Sequence, residues 1–172
     1  MKKHFFLTGL PGIGKTTALF RLLQQLNRES AGFHTEEIRE AKRRTGLAVV
    51  TSDGSAFRVA SCGHEEGHGK YVLDPDALEM AMRQAFAEID DSAIIYADPL
   101  GTLFCTSPYF VERMQSLLRS HTVLGTIARR GHAFVEAIHR REDCTILEIT
   151  PENRDALPAM VLEEINLMKV PS

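Results

Sequence analysis

The stretch "HFFLTGLPGIGKTTALFRLLQQLN", His4 to Asn27, constrains this chain more than any other. His4 to Thr8 is a short apolar run of the kind a buried strand makes. From Lys15 to about Asn27, Leu19, Leu22, Leu23 and Leu26 fall on one helical stripe. Between them, "GLPGIGKT" (Gly9 to Thr16) matches G-x-x-x-x-G-K-[ST] in full, in the strand–turn–helix context that gives the pattern its meaning. Glycines let such a loop curl until several backbone N–H groups point inward, and the helix that follows adds the positive end of its dipole. The concavity suits a chain of phosphates. Gly9, Leu10, Pro11, Gly12, Ile13, Gly14, Lys15, Thr16 and Thr17 are therefore the expected nucleotide cradle. Lys15 would reach the β- and γ-phosphates and the Thr16 hydroxyl would coordinate Mg²⁺. Pro11 stiffens the loop and removes one donor.

The rest of the chain keeps the same rhythm. Strands are expected at Ala93–Tyr96, Thr122–Ile127 and Thr145–Ile149, and helices at Tyr109–Leu118, His132 to about Arg140 and Asn153–Met168. Strands alternating with helices predict a parallel sheet covered on both faces. The span Gly32–Ala60 breaks the alternation. "GFHTEEIRE" alternates in part, "AKRR" turns, "TGLAVVTS" is apolar and β-branched, and Asp53-Gly54 precedes "AFRVA", which together read as an antiparallel meander inserted after the first helix. "CGHEEGHGKY" reads as a loop, and Asp74 as the N-cap of a helix running to about Glu88 with Pro75 first. No linker divides residues 1–172, so a single domain is expected.

A formal net charge of -3 supplies no general attraction to nucleic acid. Cys62, Cys105 and Cys144 are odd in number and form no CxxC pair, which fits reduced thiols in a cytoplasmic protein. The N-terminal apolar run is too short for a signal peptide, and no run approaches the ~20 residues that span a bilayer.

Asp98 follows the apolar Ala93–Tyr96 run, at the carboxyl end of a strand, where open α/β sheets bind ligands. An acid there would hold Mg²⁺ together with Thr16, commonly through water. Its neighbour is Pro99, which has neither acid nor base. Glu36 and Glu37 could take over water activation, but adjacent strand residues face opposite ways, so only one can face the phosphates. The alternative is charge on a solvated strand edge. Arg129 and Arg130 follow another strand end, where a guanidinium could touch the γ-phosphate or simply be solvated. Arg39, Arg43 and Arg44 read as hairpin surface charge. Cys62, His64 and His68 supply too few ligands for a closed zinc site and read as loop.

Beyond the phosphate loop, "GFHTEEIRE" with "RRTGLAVVT", then "GKYVLD", "GTI" at Gly125–Ile127 and "ITPENRD" occur in an order and spacing that resemble the THEP1 family of nucleoside triphosphatases over nearly the whole chain. The resemblance implies a RecA-like P-loop α/β fold, a three-layer sandwich, and slow Mg²⁺-dependent hydrolysis of ATP, GTP and other nucleoside triphosphates. The family's second acidic motif is Asp-Glu-x-Gly-Lys-x-Glu. Here it is Asp98-Pro99-Leu100-Gly101-Thr102-Leu103-Phe104, so Asp98 and Gly101 match while Pro99, Thr102 and Phe104 depart. The expected catalytic set is Lys15, Thr16, Asp98, Glu36 or Glu37, and Arg129, in a monomer. A missing general base costs on the order of 10²-fold in rate, so slow turnover is expected. The alternatives are a nucleotide-binding module or switch with little hydrolysis, and a small-molecule kinase.

Overall fold

The computed structural model describes residues 4–62 and 71–168. β1 (His4–Thr8) is buried along its whole length, because it pairs in parallel with β7 (Thr122–Ile127) on one side and β8 (Cys144–Glu148) on the other. A strand so enclosed reads as an unbroken apolar run. The phosphate loop follows β1 and opens α1 (Lys15–Gln25). Then come β2 (Ser30–Glu40), β3 (Arg43–Thr51), β4 (Ala56–Cys62), β5 (Tyr71–Leu73) and α2 (Pro75–Ala85). β6 (Ile94–Leu100), α3 (Thr102–Cys105) and α4 (Pro108–Ser120) precede β7, and α5 (Ala133–His139) precedes β8. α6 (Leu157–Leu167) is the last helix.

All eight strands form one sheet in the order β5-β4-β3-β2-β6-β7-β1-β8. Strand parity sorts the core into two layers around it. Phe6, Phe33, Ile95, Ala97 and Val123 face α2, α4 and α5 with Leu78, Met82, Phe110, Met114 and Val135. Phe5, Leu7, Ile94 and Leu124 face α1 and α6 with Leu19, Leu22, Val161 and Ile165. This is the expected three-layer arrangement.

Several bounds differ from the sequence reading, each for a local reason. β2 belongs to both parts of the sheet: it pairs in parallel with β6 and antiparallel with β3, so the meander grows out of the parallel layer. β5, only three residues long, adds a further antiparallel strand to a segment read as loop. His64 and His68 of that segment lie outside the described residues. The turn between β2 and β3 uses Ala41 and Lys42, with φ of 46° and 66°, so Arg43 and Arg44 already belong to β3. β6 continues to Leu100, and a short α3 follows. α2 stops at Ala85 rather than Glu88, as Phe86 turns into the core. β8 begins at Cys144, one residue earlier than expected. α6 starts at Leu157, not Asn153, because the Asn153 side chain holds a turn instead, accepting from the Thr150 N–H at 2.8 Å and donating to the Glu148 carbonyl at 2.8 Å. The Asp74 cap is as expected, its carboxylate accepting from the Asp76 and Ala77 N–H groups at 3.1 and 3.0 Å. The His132 ring caps α5 similarly.

Candidate functional site

The phosphate loop emerges at the carboxyl edge of β1. Gly9, Gly12 and Gly14 have φ of 149°, 75° and 109°, a region closed to most side chains. Gly9 is also crowded: a Cβ there would lie 2.9 Å from the Ile149 carbonyl oxygen. The Ile149 N–H in turn donates to the Thr8 carbonyl at 2.8 Å. The "ITPENRD" block therefore buttresses the root of the loop, with Asn153 fixing the turn behind it. Gly14 takes the cap position of α1, leaving the first-turn N–H groups without intrahelical partners and free to meet an anion.

Lys15 lies back over the loop, donating from Nζ to the carbonyls of Gly9 at 3.0 Å and Leu10 at 2.8 Å. Burial pulls its ammonium below the usual lysine range; the Asp98 carboxylate opposes that shift and the Arg129 guanidinium adds to it. Lys15, Asp98 and Arg129 thus share one electrostatic neighbourhood.

Asp98 is 4% exposed. A carboxylate so buried needs donors, and Thr126, 2% exposed on the adjacent β7, donates from Oγ1 to Asp98 Oδ1 at 2.5 Å. β7 therefore stands between the phosphate-loop strand and the acidic strand and supplies the group that aims the acid. Close backbone approach makes this possible, since a Cβ on Gly125 would meet the Ala97 carbonyl oxygen at 2.4 Å. Thr126 was not singled out from the sequence. A polar residue in a buried strand was the available signal.

The donors suit Mg²⁺. Thr16 is exposed at the start of α1 and Asp98 ends its buried run two strands away, both offering hard oxygen ligands. Among the described residues no cluster of three or more His, Cys, Asp or Glu could cage a metal.

The pleat separates the two glutamates. Phe33 lies opposite Ala97, both in the core on the α2 and α4 side, so the alternating His34 and Glu36 face the α1 side with Asp98. Glu37 faces away from the phosphate loop. Its carboxylate pairs with Arg39 at 2.6 Å and with Arg44. Glu37 thus sits in a charge network on the hairpin with two of the arginines read as surface. Arg129 is paired with Glu148, which lies at the end of β8 opposite Thr8, and Arg130 is solvent-exposed.

Phe104, where the resembling family has a glutamate, is 1% exposed and packs at 5.3 Å from the Phe33 ring and 6.1 Å from that of Phe110. Beyond the loop, a cleft of about 250 Å³ is lined by Gly12, Gly14, Thr17, Arg21, Arg154 and Asp155.

The NTPase family model matches residues 4–162. The nucleoside-triphosphatase THEP1 of Thermotoga maritima is 33% identical over 155 residues, covering 88% of each chain. The human cancer-related nucleoside-triphosphatase is 32% identical over 177 residues, covering 91% of this chain and 93% of the relative. In structure, the solution structure of a human cancer-related nucleoside triphosphatase superposes with a TM-score of 0.81 at 29% identity, over 98% of this chain and all of its own. The crystal structure of THEP1 from Aquifex aeolicus superposes with a TM-score of 0.71 at 29% identity, over 97% and 99%. With a phosphate loop, a buttressed root and an aimed acid in the family's order along nearly its whole length, the chain belongs to the NTPase family.

Proposed function

We propose that the chain hydrolyses nucleoside triphosphates, ATP and GTP among them, to the diphosphate and phosphate with Mg²⁺. The observation that carries this is a phosphate loop that opens α1 at the carboxyl edge of the sheet, with the buried Asp98, oriented by Thr126, two strands along the same sheet. Triphosphate would enter the loop from Gly9 to Thr17, where it displaces the Gly9 and Leu10 carbonyls as partners of Lys15. Loop N–H groups and the Lys15 ammonium then neutralise the β- and γ-phosphates. Thr16 and Asp98 would hold Mg²⁺, which would supply neutralisation of the phosphate charge. Arg129, already near this charge and reversibly tied to Glu148, can turn to the γ-phosphate. The cleft at Arg154 and Asp155 would take the ribose and base.

Among the described residues no helix is long and apolar enough to cross a membrane. Cys62, Cys105 and Cys144 form no disulfide among the described residues, which suits action in a reducing cytoplasm.

Phosphate release from ATP and GTP, measured beside nucleotide-dependent Tm for wild type, Lys15→Ala and Pro99→Glu, tests this reading. Wild type should release phosphate slowly and gain Tm with Mg²⁺ and nucleotide, while Lys15→Ala should lose both. Pro99→Glu should raise turnover if an acid at 99 still reaches the water. A wild type that gains Tm but releases no phosphate would make the protein a binding module.

A further inference from the structure

We infer that Glu36 is the group that activates the attacking water, and that His34 positions its carboxylate; this rests on the hydrolase reading above. Pro99 supplies no base, and Phe104 is committed to the core, so the water must be met from elsewhere.

The register of β2 beside β6 places the candidate. His34 lies directly opposite Asp98 in a parallel ladder, so the two side chains leave the sheet on the same face, from strands ~4.8 Å apart. That face carries α1, which the phosphate loop opens. Two residues further on, the strand returns Glu36 to the same face, ~6–7 Å beyond His34 and past the acid, on the outward side where a γ-phosphate would lie. Glu37, one residue along, is on the other face and neutralised by two arginines.

The Glu36 carboxylate does not swing freely. His34 Nε2 and Glu36 Oε1 are 3.1 Å apart. The His34 ring is held edge-on by Phe20 of α1, with centroids 5.0 Å apart and planes at 87°. His34 Nδ1 is buried, with no protein partner among the described residues. A hydrogen on Nδ1 would have nothing to receive it, so the tautomer with hydrogen on Nε2 is favoured, and that N–H donates to Glu36 Oε1. Oε2 is then left to face water. The exposures agree with these roles: the His34 side chain is 18% exposed and that of Glu36 63%. His34 is thus a positioning residue, while Glu36 would touch the reacting water.

In the step itself, the water oxygen forms a bond to the γ-phosphorus. The bond from that phosphorus to the β–γ bridging oxygen breaks, and the nucleoside diphosphate leaves with the electron pair. The proton lost by the water passes to Glu36, which returns it to solvent after phosphate departs.

The test is steady-state phosphate release, with nucleotide-dependent Tm, for wild type, Glu36→Gln, Glu37→Gln, His34→Phe and His34→Gln. Glu36→Gln should lower kcat by about 10²–10⁴-fold and leave KM within about twofold, with the nucleotide-dependent Tm gain intact. Glu37→Gln should keep wild-type turnover. His34→Phe should lower kcat on the order of tenfold at unchanged KM, and His34→Gln, whose amide can still donate to Glu36, should recover most of the loss. Glu36→Gln turnover within about twofold of wild type would overturn the inference and leave the hydrolase reading standing. Equal losses in Glu36→Gln and Glu37→Gln would overturn it as well. A wild type that gains Tm with nucleotide yet releases no phosphate would overturn both.

Discussion

Asp98 and Thr126 form a two-residue device whose parts lie 28 positions apart. The carboxylate is nearly out of water, so the Thr126 donor matters both to stability and to aim. Thr126→Val preserves shape but leaves a buried oxygen unpaired, a loss of about 1–3 kcal/mol. We expect a lower Tm and a Mg²⁺ titration of phosphate release shifted to higher concentration, while Thr126→Ser stays close to wild type. An unchanged Mg²⁺ midpoint in Thr126→Val would show that the hydroxyl does not orient the acid. Asp98 itself was legible from its place after an apolar run. Thr126 was not, because its role depends on which strand lies beside which.

At the scale of elements, the segment after Asp98 serves packing. In the resembling family it carries acids. Here α3 drives Phe104 between Phe33 and Phe110. Restoring glutamate at 104 would bury a carboxylate among aromatic rings. Removing a buried phenylalanine already costs about 3–5 kcal/mol, and the charge adds to that. Phe104→Glu should therefore unfold at markedly lower denaturant or temperature and gain no turnover. A folded, faster Phe104→Glu would mean that the segment can reopen. Pro99 is only partly buried, so a substitution there perturbs the core far less. The β2–β3 hairpin shows the opposite economy: a long, polar-edged ladder projects past the parallel layer, and pleat parity puts Glu36 on the face of Asp98 while Glu37 meets Arg39 and Arg44.

For the whole molecule, two apolar layers enclosing the sheet set the response to pH. Burial lifts the Cys105 thiol from 9.0 to about 11. It lifts the Tyr96 hydroxyl from 10.0 to about 12, with the Asp53 and Asp98 carboxylates adding to the shift. An unfolded chain sheds these protons at the lower values and the folded chain at the higher ones. The stability they contribute is thus whole below about pH 9 and is lost as pH climbs through the folded values. Tm should fall between pH 8 and pH 10.5, and Cys105→Ala should make that fall smaller by on the order of 2 °C. An identical fall in the variant would show that Cys105 ionises as readily folded as unfolded.

What the chain settles by itself is whatever is written in contiguous residues. The phosphate loop is such a feature, because its glycines, lysine and hydroxyl act within one turn. So are the helical stripes, the Asp74 cap and the alternation that predicts a parallel sheet, since periodicity is a local property. The tertiary structure decided what depends on lateral neighbours. Strand order put β7 between β1 and β6 and brought Thr126 to Asp98. The β2–β6 register set His34 beside the acid and, by parity, put Glu36 on its face and Glu37 on the other. Those outcomes come from hydrogen-bonded pairing between segments far apart in sequence, where a slip of one residue would send every side chain to the other face.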